Sequence, residues 1–285
     1  MSPGRIPGTA RHIIGSQNIV SSILCHSLQV NMANKDTPRP AVLNERNTIS
    51  LLGMPFCPST ERIRLALGWK GLEYAKIDID LSSKPPWLFD LNPFGQVPVL
   101  VLNEFAVYDS MICLEYLDEA FPSTKRLFPS DADHRAWMRL FANFVDKRIV
   151  PAFWGLLKSK GQSMSDRIAM DEGLDILSRK IKVPFVIGTD LTAADIVLFP
   201  WVKRLYTLTA MLRFELKQAQ ILQWYDGVVA HEVFANEASS NNLMRRFYDS
   251  YSLGKPDYTL GALAIPEREL RDEPETKQAL LRQNK

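Results

Sequence analysis

The sequence predicts two folded parts in series, an α/β half followed by an all-α half. Three observations carry this. Between Thr48 and Glu119, β-prone runs alternate with helical segments in the order βαβ, a short helical piece, ββ and a final helix. Phe121-Pro122-Ser123 then interrupts the pattern as a connection. Beyond Ser130 every readable segment has helical spacing. The boundaries that follow are a flexible extension over 1–46, an α/β domain over 47–120, a linker over 121–130, an all-α domain over 131–261 and a charged flexible tail over 262–285.

Each element has its own justification. Thr48-Ile49-Ser50-Leu51-Leu52 is a short β-prone run ended by Gly53-Met54-Pro55. Pro58 suits the first position of the next helix, where its missing N–H would have had no partner. In that helix Ile63, Ala66 and Leu67 keep the inward spacing, and Glu61, Arg62 and Arg64 are expected to face out. Glu73 to Asp80 reads as a second strand, Val97 to Val101 as a third and Phe105 to Tyr108 as a fourth, with a helix from Asp109 to Glu119. In the second half Trp137, Leu140, Phe141, Phe144 and Val145 trace a helical stripe that Pro151 kinks or ends. A more polar helix spans Ser165 to Lys180. Thr192 and Asp195 have capping-box spacing ahead of Ile196-Val197-Leu198, and helices over Leu216 to Ala230 and Glu232 to Ser252 complete the half. Its aromatics, Trp137, Phe144, Phe153, Trp154, Trp201 and Trp224, are expected mostly in the core, with residues near Trp201-Lys203-Arg204 or Tyr248 at a second-substrate pocket.

Composition bounds the function. At 285 residues with 46% hydrophobic and 23% charged, the chain is ordinary globular material rather than a disordered or fibrous one. Its 34 basic and 32 acidic residues leave a net charge of +2, which gives no electrostatic reason to expect a nucleic-acid partner. No apolar stretch approaches the roughly 20 residues of a membrane helix, so a soluble protein without a membrane span is expected. Cys25, Cys57 and Cys113 are too few and scattered for a disulfide framework or a zinc site, which points to a reducing, cytoplasmic setting and to no metal. Met1 to Asn34 contains no Asp or Glu and carries Arg5 and Arg11; residues 1–31 read either as an organelle transit peptide or, as favoured here, as an unfolded extension with Met32 starting the functional form.

The chemistry centres on Cys57. A cysteine at a helix start lies where unpaired N–H groups and the helix dipole stabilise a thiolate, the reactive form. Thr60 occupies the position where a two-cysteine redox motif would carry its second sulfur, so a mixed disulfide on Cys57 needs an external thiol to resolve it. No Gly-rich loop with Lys-Ser/Thr follows the strand, which speaks against phosphate chemistry. The alternative for Cys57 is a small buried hydrophobe, and that is the reading given to Cys113.

The run Phe56-Cys57-Pro58, then Lys84-Pro85-Pro86-Trp87, then Asn92-Pro93-Phe94-Gly95-Gln96-Val97-Pro98-Val99-Leu100, then Asp109-Ser110 and Glu115-Tyr116-Leu117-Asp118-Glu119 resembles an omega-class glutathione transferase over the whole folded part. The resemblance implies a thioredoxin-like first domain, glutathione as co-substrate and a two-fold homodimer. It also implies a cis peptide before Pro98, with the Val97 backbone pairing the cysteinyl part of glutathione. By the same likeness Asp109 and Ser110 hold the γ-glutamyl end, and Lys84 meets the glycyl carboxylate. Read singly, Asp109-Ser110 is also a helix cap, Pro98 an edge-strand proline and Lys84 a surface charge. The family more often has Glu at the Asp109 position and Phe at the Ser59 position. The activity implied is glutathione-dependent thiol transfer or reduction, with dehydroascorbate or methylated arsenic acids as second substrates. The alternatives are conjugation of electrophiles, for which the first tyrosine, Tyr74, is poorly placed, a protein resembling chloride intracellular channels, or a non-catalytic binding module of the same fold.

Overall fold

A computed structural model of the chain describes residues 28–261. The N-terminal residues 1–27 and the charged tail 262–285 lie outside the described residues, and with them Cys25, most of the candidate transit segment and the expected tail.

The first half is a five-stranded mixed sheet with helices. Strand β1, Leu28–Ala33, is followed by a 3-10 turn at Ala41–Asn44 and by β2, Ile49–Gly53. Helix α1, Pro58–Lys70, then leads to β3, Ala75–Ile79, and to the short α2, Trp87–Leu91. The antiparallel pair β4, Val99–Leu102, and β5, Phe105–Tyr108, precedes α3, Ser110–Ala120. The spatial order is β1-β3-β2-β4-β5, with β3 parallel to both β1 and β2, and β4 antiparallel to β2 and β5.

Strand β1 corrects the expectation that residues 1–46 form a flexible extension. Leu28 to Val30 pair in register with Ala75 to Ile77, so the folded part begins well before Thr48. The segment Leu28-Gln29-Val30-Asn31-Met32-Ala33 alternates apolar and polar residues, a strand signal hidden when Leu28 is grouped with Val20, Ile23 and Leu24 on a helical face. Leu43, on the 3-10 turn, is buried with Ala33, Leu52, Ile77 and Val99 in the core on one side of the sheet.

The second half is helical. Helix α4, Ala132–Phe144, passes through a π turn at Val145–Ile149 into α5, Val150–Lys158. After α6, Met164–Ser178, comes α7, Ala193–Thr207, the central helix, buried along nearly its whole length. The described residues continue through α8, Thr209–Leu212, α9, Ala219–Val229, α10, Glu232–Glu237, and α11, Asn241–Ser252, to a 3-10 turn at Tyr258–Gly261. The helix expected over Glu232 to Ser252 is thus two helices, separated at Ala238–Ser240. The capping box of α7 forms: Asp195, fully buried, accepts from Thr192 N at 2.9 Å and Thr192 Oγ1 at 3.1 Å. Its other oxygen takes Val186 N and Trp224 Nε1. Burial raises this carboxyl above its ordinary range despite those donors.

Helix α1 packs against α3 of its own half and against α7 and α10 of the other. Consequently Glu61, Arg62 and Arg64 are buried at the junction, not solvent-facing as the helical pattern predicts. The periodicity separated inner from outer faces; it carried no sign that a second domain covers the outer one.

Candidate active site

Cys57 is the N-cap of α1, with Pro58 at the first helical position. The turn that presents it is closed by Cys57 N donating to Met54 O at 3.0 Å. Gly53 is required at its start, because a Cβ there would lie 2.2 Å from Thr60 Cγ2. The second half fixes the same turn. Arg204, fully buried, donates from Nη2 to Phe56 O at 2.8 Å, from Nη1 to Glu61 Oε2 at 2.6 Å and from Nε to Tyr248 Oη at 2.8 Å. Pro55 O accepts from Arg64 Nη1 and from Ser239 Oγ. Burial raises the Glu61 carboxyl, but the charges of Arg204, Lys203 and Arg64 outweigh it and hold the group below its usual range.

Cys57 Sγ is half-buried and stands 3.9 Å from Val97 O. The Val97–Pro98 peptide is cis, as the resemblance implies. The tight reversal just upstream is made at Gly95, φ +59°, where a Cβ would meet the Phe89 ring at 2.5 Å. Asp109 caps α3, its Oδ1 accepting from Met111 N at 2.8 Å and Ile112 N at 3.3 Å. The cap reading of this residue therefore holds, whatever else Asp109 does. It adopts φ +71°, a conformation that L residues occupy rarely and that clusters at functional sites. Ser110, the first residue of α3, is buried and accepts from Arg62 Nη1 at 3.1 Å.

Five of the sequence-derived candidates, Cys57, Val97, Pro98, Asp109 and Ser110, line one cavity of about 340 Å³. Lys84, in the loop ahead of α2, is not among its lining residues. Sequence reasoning missed Arg62, assigned to solvent, and Asp146, which the π turn brings to the wall. Trp154, expected in the core, and Trp201, expected near a pocket, both line it. Arg62 Nε and Trp201 Nε1 are buried with no hydrogen-bond partner among the described residues, the kind of donor a bound acceptor satisfies. Cys113, in contrast, is fully buried in the core, and burial pushes its thiol up to about 12.

Chemically, the N-termini of α1 and α3 both meet this cavity, one carrying a sulfur and the other a hydroxyl and a carboxylate. Together with Arg62 and Asp146, this set suits a small zwitterionic peptide with a reactive sulfur. Among the described residues no group of three or more His, Cys, Asp or Glu side chains is placed to hold a metal ion, and no helix is long and apolar enough to cross a membrane.

Comparison with known proteins agrees with this arrangement. Residues 56–120 match the family model "Glutathione S-transferase, N-terminal domain". Glutathione S-transferase omega-1 of Sus scrofa is 32% identical over 169 residues, covering 56% of this chain and 68% of that one. Among solved structures, glutathione transferase Omega 3C from Trametes versicolor superimposes with a TM-score of 0.66 at 27% identity, over 74% of this chain and 93% of its own. Rice GST1 in complex with glutathione gives 0.67 at 25% identity, over 75% and 100%. The chain belongs to the glutathione S-transferase family, on its omega-class side. Glutathione is the co-substrate, and the thioredoxin-like domain followed by a helical domain is the fold of the family.

Proposed function

We propose that the protein is a glutathione-dependent thiol transferase or reductase with Cys57 as its nucleophile. The observation that carries this is a half-buried sulfur at the N-cap of α1, on a cavity wall, with Thr60 where a resolving cysteine would stand. The thiolate is the nucleophilic form of a cysteine. It attacks the glutathionyl sulfur of a mixed disulfide; the S–S bond breaks, the substrate thiolate leaves, and a Cys57–glutathione disulfide forms. A second glutathione thiolate attacks the glutathione sulfur of that disulfide, releasing oxidised glutathione and the Cys57 thiolate. Each cycle reduces one mixed disulfide and consumes one free glutathione thiol, the other half of the oxidised glutathione coming from the substrate. The Val97 backbone pairs the cysteinyl part, and Asp109 and Ser110 hold the γ-glutamyl end. Dehydroascorbate and methylated arsenic acids are the further oxidised substrates to be tried.

Reduction of a small mixed disulfide by glutathione, measured beside conjugation of an aryl halide, tests the reading. Cys57→Ala is expected to bring disulfide reduction to background. Strong conjugation that survives this substitution points instead to a hydroxyl-activated conjugating enzyme, for which Ser59 on the cavity wall is the candidate. Absence of both activities points to a binding role.

A further inference from the structure

Among the described residues, two buried carbonyls ahead of Cys57 find no backbone donor in the turn or in helix α1. Met54 O is taken by Cys57 N at 3.0 Å, and Cys57 O opens the helical ladder by accepting from Glu61 N at 3.0 Å. Pro55 O and Phe56 O lie between them, and both residues are buried, where an unpaired carbonyl is costly. Side chains take the place of the missing donors. Phe56 O accepts from Arg204 Nη2 at 2.8 Å and from Tyr248 Oη at 3.5 Å. Pro55 O accepts from Arg64 Nη1 at 3.1 Å and from Ser239 Oγ at 2.8 Å.

Ser239, in the connection between α10 and α11, commits every polar atom it has to this junction. Its Oγ donates to Pro55 O while accepting from Arg64 Nη2 at 2.8 Å. Its N donates to Glu61 Oε1 at 3.0 Å, and its O accepts from Lys203 Nζ. One residue of the helical half therefore ties together the turn before Cys57, helix α1 and helix α7. With its backbone held on both sides and its hydroxyl engaged as donor and acceptor, the side chain has one orientation. Ser239 is half-buried and is not among the residues lining the Cys57 cavity.

We infer that Ser239 is a positioning residue for the reaction: by anchoring Pro55 O it fixes the turn over 54–57 and so aims Cys57 Sγ at the glutathionyl sulfur. The inference rests on the proposed function and deepens it, giving the helical half a part in directing a nucleophile carried by the other. Attack requires the reacting atoms close and their orbitals aligned, and a misplacement of about 1 Å can cost about a hundredfold. Removing the Ser239 hydroxyl leaves Arg64 on Pro55 O, so a smaller loss is expected.

The test compares the native protein, Ser239→Ala and Ser239→Thr in reduction of a small mixed disulfide by glutathione. Iodoacetamide alkylation of Cys57, followed by peptide mass mapping, and thermal unfolding accompany it. Ser239→Ala should lower kcat about five- to tenfold and keep KM within about twofold, because no cavity wall is touched. Iodoacetamide, small and free to approach from any side, should alkylate Cys57 in this variant within about twofold of the native rate. Ser239→Thr keeps the hydroxyl and should recover most of kcat. A kcat in Ser239→Ala equal to the native value overturns the inference, as does a loss carried wholly by KM or a Thr variant as slow as the Ala one. Alkylation that falls as far as kcat also overturns it, because Ser239 would then govern the sulfur's reactivity and not its aim. Unfolding midpoints within a few degrees of native are expected, and a drop of more than about ten degrees in Ser239→Ala makes its role structural and overturns the inference. All of these outcomes leave the proposed function standing. A native protein whose disulfide reduction survives Cys57→Ala overturns the proposed function and this inference together.

Discussion

Cys57 and Cys113 are chemically the same side chain in opposite settings. One is a half-buried helix cap on a cavity; the other is sealed in the core with its thiol pushed up to about 12. Alkylation at neutral pH followed by peptide mass mapping should modify Cys57 readily and leave Cys113 untouched until the chain unfolds. Gly95 makes a second residue-level prediction. At φ +59° and with the Phe89 ring in the way, Gly95→Ala should lower stability by about 1–2 kcal/mol or more in urea unfolding. Cys57 was legible beforehand, because a cysteine directly before a proline that can open a helix announces its setting. Arg62 and Asp146 were not legible, for their meaning lies in a contact across 84 positions of sequence.

At the scale of elements, α1 decides most. Glu61 pairs with Arg204 at 2.6 Å, both fully buried, and its carboxyl is held below the ordinary range by neighbouring cations that outweigh the effect of burial. A depressed folded-state value means that the pair's contribution is present at neutral pH and is lost as pH falls through that value. Glu61→Gln should therefore cost about 3–5 kcal/mol at neutral pH, since it strands the Arg204 charge. It should also flatten the acid limb of stability when urea unfolding is followed from neutral into acid. Strand β1 makes the complementary prediction. A chain trimmed through residue 34 should melt several degrees below one trimmed through residue 27, because only the first lacks the pairing with β3 and the buried Ala33. The inner elements were readable because their alternation is bounded by Gly and Pro. Strand β1 was not, because it is a short edge strand whose residues also fit a helical face with Val20, Ile23 and Leu24, so helical and strand spacing compete over few residues.

For the whole molecule, the order of the two halves was visible in the sequence and their junction was not. Strand–helix alternation followed by helices alone is enough to predict the architecture, yet nothing in a single face of α1 says which surface α7 and α10 will cover. The Cys57 cavity draws on both halves: Cys57, Val97 and Ser110 come from the first, and Asp146, Trp154 and Trp201 from the second. At this scale Arg204→Met should disturb both halves. It removes the donor to Phe56 O, so thiol transfer and thermal midpoint should fall together, measurable by parallel kinetics and melting.

Burying α1 on both sides has one more consequence, for anyone seeking to recombine this protein with another. A transplanted helical domain would have to arrive with a cation to meet Glu61, a carboxylate to meet Arg62 and a hydroxyl to meet Arg64. Without that three-pronged match, a chimera would leave orphaned charges along the helix that Cys57 caps.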